Sequence, residues 1–322
     1  MAILSNTGIR AGASGVSSGY QIEKSLRFNS DDTAYLNRTQ VAGNRKTYTI
    51  SWWQKFGKTR SNQRVFGTSA SYQHSMMFDG SDRFYLYYQS SNGNGEFTTA
   101  NSFRDPTGWY HFVFAVDTTQ ATASNRMKLW VNGVQQTDLV STTYPNQNVD
   151  MYWNYATPTY IGKYQSGYHF EGYLAEIFMT DGTAYDASTF GEENANGKWV
   201  PKDCSESLSY GNNGCYLKFN GTDLGEDSSG ENHDWTANNF SLEDGAAVTV
   251  ASATGAKPIW NTSDDHGQTI GSGVRTDSNS SDLAGAWPLT AANSNALTDD
   301  ESGNSRTLTS YGSSSSDTNK YR

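Results

Sequence analysis

The sequence predicts an all-β protein of the sandwich or barrel type, built as one large domain with an arm before it and a short β extension after it. Two observations carry this reading. Aromatic residues are abundant, with 20 Tyr, 14 Phe and 9 Trp in a chain that is only 35% hydrophobic, and such side chains suit half-buried pleated surfaces. Short apolar alternations recur between polar turns, whereas Leu- and Ala-rich runs of helical period are scarce. At 322 residues the chain is long enough to bury a sizeable core.

The elements follow in order. Residues 1–22 are rich in Gly, Ser and Ala and read as an arm. The domain, residues 23–245, opens with "SLRFNSDDTAYLNRTQV". In "KTYTISWWQKF", Tyr48, Ile50 and Trp52 share one face while Thr47, Thr49, Ser51 and Trp53 share the other, which is expected to be wet. "HSMMFDGSDRFYLYYQS" hinges at Asp79-Gly80. "WYHFVFAVD" is apolar on both sides, as befits a central strand covered on both faces. A polar loop leads to "NRMKLWVNGV", where Asn132-Gly133 supplies the positive φ angles of a two-residue hairpin turn. Residues 159–192 are read as another strand pair turning at Asp181-Gly182, then a short helical or irregular piece over Asp186–Gly191. "GCYLKFNG" closes the domain. Residues 246–281 are polar and small, a linker. Residues 282–322 echo the pattern of 215–236, which predicts a truncated β module needing another surface to pack on.

Charge and motifs narrow the function. A net charge of −10 and a pI near 4.9 remove the electrostatic attraction behind non-specific nucleic-acid binding. No apolar run approaches the ~20 residues that span a bilayer, and no N-terminal secretory leader is expected. Neither nucleic acid nor membrane insertion is therefore expected among the partners. Cys204 and Cys215 either form one bridge across a hairpin or remain core thiols. The five histidines, His74, His111, His169, His233 and His266, lack zinc or triad spacing.

"WYHFVFAVDTT…NRMKLWVNGV" followed by "YIG…FEGYLAEIFMTDGTAYD" resembles the concanavalin A-like, laminin G-type jelly-roll family over about residues 25–240. The resemblance implies a two-sheet antiparallel jelly-roll sandwich used for glycan or protein contact, in some members with calcium at loop ends. "GYQIEKSLRFN" ahead and "GCYLKFNG…GEDSSGENHDWTANNF" behind are similar to modules of tailed-phage virion proteins. That similarity implies a non-enzymatic virion surface protein, in a tail fibre, an appendage or a capsid decoration, made in the host cytoplasm. Its expected partners are other virion proteins, copies of itself and host glycans. The alternatives are a free bacterial carbohydrate-binding or adhesin module and, further off, a degenerate glucanase. Glucanases of this family carry Glu-x-Asp-x-x-Glu on one strand. Here Glu171 and Glu176 stand five apart, a spacing that sends them to opposite faces of a strand. No catalytic residue is assigned.

Two constellations are candidates for binding. The densest aromatic stretch bears Tyr152, Trp153, Tyr155, Tyr160, Tyr164, Tyr168 and His169, ring faces suited to sugars, with a core and subunit interface as the competing reading. Trp53 and Trp130 are lesser candidates of the same kind. Asp223, Asp227, Asn232 and Asp234 offer hard oxygen donors for Ca²⁺, against the plainer reading of a self-capping polar turn. No other cofactor is expected.

Overall fold

Period-two alternation becomes strand almost wherever it occurs. The computed structural model describes residues 20–240 except 23, 58–61, 70, 165–166 and 221–222. The arm up to residue 19, the linker at 246–281 and the tail module at 282–322 lie outside the described residues. In chain order the strands are β1 (Leu26–Phe28), β2 (Tyr35–Thr39), β3 (Thr47–Phe56), β4 (Gln63–Thr68), β5 (His74–Phe78), β6 (Arg83–Ser90), β7 (Gly93–Ser102), β8 (Tyr110–Asp117), β9 (Met127–Val131) and β10 (Val134–Gln135). They continue with β11 (Leu139–Thr142), β12 (Pro158–Ile161), β13 (Lys163–Tyr164), β14 (Tyr168–His169), β15 (Gly172–Asp181), β16 (Gly191–Glu193), β17 (Trp199–Pro201), β18 (Cys215–Leu217) and β19 (Thr236–Asn238). No helix among the described residues is long and apolar enough to cross a membrane.

Two large antiparallel sheets form a jelly-roll sandwich. One has seven strands in the order β1-β15-β3-β8-β9-β10, with β18 also on β15; the other has eight, β11-β7-β6-β5-β4-β12-β2-β19. The layer between them is aromatic: Trp52 stacks on Phe112 at 5.2 Å and meets Phe66 edge-on at 4.9 Å. Such pairs add about 0.5–1.5 kcal/mol each beyond the area they bury. The hairpin at Asn132-Gly133 forms as the sequence predicts, with φ of 46° and 80° and Val131 paired with Val134. The Asp79-Gly80 turn is tied by Asp79, which accepts from the Ser81 and Arg83 amides and pairs with the Arg83 guanidinium at 2.7 Å.

Two expectations are corrected. The second face of β3 is dry, because the chain from Thr183 to Tyr216 folds over that side of the seven-stranded sheet. Phe178, Phe190, Tyr210 and Tyr216 build a second apolar cluster there with Val113, and the Thr49 hydroxyl bonds to Thr183 O and Tyr185 N. This layer also covers the outer side of β8, as its two apolar faces require. Second, no strand returns directly after Asp181-Gly182; the next to pair with β15 is β18. The chain instead makes a 3₁₀ turn at Ala187–Thr189, capped by Asp186, which accepts from the Ser188 amide. Of the two readings left open for the thiols, the unpaired one holds. Cys204 and Cys215 are both free and buried, one in each apolar cluster.

Candidate functional site

Register decides which tyrosines face outward. Across the eight-stranded sheet Leu36, Ile161, Phe66, Met76, Leu86 and Phe97 stand in one rung, and all six are buried in the sandwich. One step along each strand gives the adjacent rung, Asn37, Tyr160, Gly67, Ser75, Tyr87 and Glu96, which by alternation points away from the core. Arg64, Met77 and Tyr85 continue that outer face.

The small hairpin β13–β14 lies across this face. It can do so because residue 67 is glycine: a Cβ there would come within 2.8 Å of the Tyr164 ring and 3.0 Å of the Lys163 carbonyl oxygen. The Lys163 ammonium sits 3.7 Å from the centroid of Tyr35 and 5.1 Å from that of Tyr160. The Arg64 guanidinium lies 5.1 Å from both Tyr164 and Tyr168 and donates to Ser75 Oγ at 2.7 Å. On the far side the Tyr85 hydroxyl donates to Glu96 at 3.3 Å, and Ser141 Oγ donates to the same carboxylate. Burial, and then the neighbouring Lys163, hold His169 below the usual histidine range, so its ring is neutral at pH 7.

The aromatic stretch predicted as one site is divided among four places. Trp153 is 1% exposed and packs on Tyr48 and His74 in the core, so it presents no face to solvent. Tyr152 and Tyr155 gather with Tyr72 around Arg45, whose guanidinium is 4.9 and 4.8 Å from their rings. Tyr164 is buried against β4 while Tyr168 is 43% exposed, and the two flank Arg64. His169 joins Tyr35 and Tyr160. Trp53 is buried against His111 at 4.6 Å, and Trp130 packs on the second apolar cluster. Sequence reasoning missed Tyr35, Arg64, Tyr85, Tyr87 and Lys163. The signal for two of them was present: in "RFYLYYQS" the core parity of Phe84, Leu86 and Tyr88 turns Tyr85 and Tyr87 outward.

Three groupings that bear on catalysis or metals also take definite form. His111 lies between Ser51 and Trp199: its Nδ1 accepts the Trp199 indole N–H at 2.9 Å, and Nε2 is 2.9 Å from Ser51 Oγ. Because Nδ1 must be unprotonated to accept, Nε2 carries the proton and donates to the serine. A serine nucleophile needs the reverse polarity, with a carboxylate on Nδ1. Burial lowers the His111 pKa from 6.5 to about 3, so this group contributes stability above pH 6.5 that is lost as pH falls toward 3. His111→Gln, which can keep both contacts, is therefore expected to spare about 2 kcal/mol of the loss between pH 7 and pH 5. Denaturant midpoints at the two pH values check this, and an unchanged difference between them would contradict the buried neutral imidazole.

The carboxylates depart from the parity argument. A bulge between Ala175 and Phe178, with Glu176 at φ 47°, shifts the alternation and places Glu176 against Tyr216, on the same side as Phe178. Glu171 is held at the other end by Ser30 and Arg27. Five residues of strand put them about 15 Å apart, beyond the ~5–9.5 Å of a glycosidase pair. In the acidic turn Asp227 accepts from the amides of Tyr216, Ser229 and His233 and from Ser229 Oγ. Asp234 accepts from the Asp227 amide, Asp223 accepts from that of Gly225, and Asn232 takes φ 58°. These oxygens serve the turn itself. Among the described residues, no three His, Cys, Asp or Glu side chains gather as a metal site.

A family profile described as "Concanavalin A-like lectin/glucanases superfamily" matches residues 28–188, half of the chain. No curated protein matches it. Among solved structures the chain is similar to a Bacteroides ovatus protein assigned to carbohydrate binding, at 13% identity and TM-score 0.49, covering 75% of this chain and 63% of that one. It is also similar to a SAP-like pentraxin from Limulus polyphemus, at 16% identity and TM-score 0.37, covering 57% and 94% respectively. The third, domains LG4-5 of mouse laminin α1, has 11% identity and TM-score 0.37, covering 63% and 50%. The chain thus spans less than two thirds of the length of the first and third of these proteins.

Proposed function

The chain belongs to the concanavalin A-like lectin/glucanases superfamily, and on that premise we propose that it is a non-enzymatic module that contacts glycans through the outer face of its eight-stranded sheet. The observation that carries this reading is the tyrosine-bearing outer rung, with Tyr160 and Tyr87 in register across β12, β4, β5 and β6. Ring faces offer apolar area at low conformational cost, while the flanking Asn37 and Glu96 can read hydroxyl groups. The proton direction between His111 and Ser51, and the distance between Glu171 and Glu176, support binding rather than turnover.

The test is a glycan array followed by titration calorimetry. Tyr87→Ala with Tyr160→Ala is expected to weaken the bound glycan about tenfold or more, with the thermal midpoint held because both rings lie outside the core. Undiminished binding by the double variant, or no glycan retained by the parent protein, overturns the reading.

The setting we propose is the surface of a tailed-phage particle, in a fibre, an appendage or a capsid decoration. It rests on the resemblance of the segments around residues 19–29 and 214–240 to virion modules. Mass spectrometry of purified particles tests it, and absence of the chain from them rejects it.

A further inference from the structure

We propose that the hairpin end of this face is a subsite for an acidic sugar, an anionic group on the glycan being attracted by Arg64 and Lys163. The inference rests on the glycan-contact reading and adds the chemical class of the ligand.

The starting observation is charge that its surroundings leave unanswered. In a chain of net charge −10, some cations on the sandwich are paired with acids: Arg27 with Glu171, Arg45 with Asp150, Arg83 with Asp79, Arg104 with Asp82. Arg64 and Lys163 have no carboxylate partner among the described residues. Rings hold them instead, Arg64 by Tyr164 and Tyr168 and Lys163 by Tyr35 and Tyr160. A ring face positions a cation without consuming its N–H donors. Arg64 gives Nη1 to Ser75, and its buried Nε has no acceptor among the described residues. The Lys163 ammonium has none among the described residues. The two cations therefore sit fixed, with donors to spare, on the face already argued to take sugar rings.

Polarity along the face sets the orientation. Glu96 lies three strands from Arg64 across the sheet, about 14 Å at ordinary strand spacing, with its carboxylate engaged by Tyr85 and Ser141. An anionic substituent is repelled there and attracted at the hairpin, so uncharged rings run toward Tyr85 and Tyr87. Neutral His169, which packs on Tyr35 and pairs with Lys163 in the hairpin, adds no charge of its own at pH 7. The acidic tone of the rest of the molecule makes the subsite selective, because an anion finds little favourable potential elsewhere.

The probe is oligogalacturonate against its methyl ester, which keeps the rings and removes the charge. The parent protein is expected to bind the acid at least tenfold tighter than the ester at low salt, with the preference shrinking as salt is raised. Lys163→Gln and Arg64→Gln are each expected to reduce that preference, and together to abolish it, so that acid and ester then bind alike. Lys163 projects over half-buried rings outside the core, so its variant keeps the proposal testable if the Arg64 variant does not fold. Sulfated dextran against dextran distinguishes a sulfate from a carboxylate as the anion, and a preference for either acid over its neutral parent supports the subsite. Equal binding of acid and ester with equal binding of sulfated and plain dextran, or a preference that survives the double variant, overturns the subsite while the glycan-contact reading stands. No binding to any glycan overturns both.

Discussion

Replacing Trp153 with alanine is expected to lower the stability of the sandwich by about 3–5 kcal/mol, the range for removing a large buried aromatic side chain. The indole is 1% exposed and stacks on Tyr48 at 6.3 Å, with His74 at 5.4 Å and Phe66 at 6.4 Å. Its loss opens a cavity beside a buried imidazole that already has one nitrogen without a partner among the described residues, leaving little for the neighbours to collapse onto. The midpoint of a urea transition reports the loss. At temperatures where the variant is still folded, its glycan affinity is expected to equal that of the parent. A fully stable variant that had lost binding would show that this tryptophan belongs to a surface platform after all.

The second large effect concerns a carboxyl group inside the protein. Glu176 is buried at the bulge in β15, where one of its oxygens accepts from Tyr20 at 3.0 Å and Tyr216 at 2.7 Å, the two phenol oxygens being 2.8 Å apart. The other oxygen is buried without a hydrogen-bond partner among the described residues. Burial raises its pKa from 4.5 to about 7, opposed by the tyrosine hydrogen bonds and by Lys218. Proton count explains why the neutral form fits: three oxygen–oxygen contacts share only two phenol protons when the carboxyl is ionised, and the acid supplies a third. Between pH 4.5 and 7 the unfolded chain gives up this proton and the folded chain keeps it. Stability from this group is therefore present at low pH, falls as pH rises through that window by about 1.4 kcal/mol per unit, and stays lost above it. Glu176→Gln removes the ionisation, so it should match the parent near pH 4.5 and exceed it by about 3 kcal/mol at pH 8. Denaturant midpoints at both pH values measure the difference. A variant less stable than the parent at pH 8 would mean that the carboxylate, not the acid, is the form the clasp requires.

Much of the sandwich was legible because strand parity is local. The doubly apolar β8, the Asn132-Gly133 hairpin and the turn at Asp79 each follow from residues within a few positions of one another. Parity failed at β15, where the Ala175–Phe178 bulge moves Glu176 to the side that simple alternation denies it. A bulge is set by what the strand must pair with: β3 along one edge, β1 and β18 on the other. It also failed to say that β3 is dry on both sides, since Thr49 and Ser51 are polar: Thr49 finds its partners in the returning segment from Thr183 onward and Ser51 finds His111 of β8. The aromatic stretch from Tyr152 to His169 shows the same limit. Its seven rings are close in sequence, yet one enters the core, two join Tyr72 and Arg45, and the others border the outer face beside residues from β2 and β4.

By itself, then, the amino-acid order determined an antiparallel double layer, its turns and most of its inward-facing residues, because alternation and turn chemistry act over two to four positions. Only the tertiary structure decided which aromatic rings meet solvent, which carboxyl is shut away from water and where rings rather than acids hold Arg64 and Lys163. Those outcomes depend on sheet register and on segments arriving from far along the chain, and no local pattern encodes them.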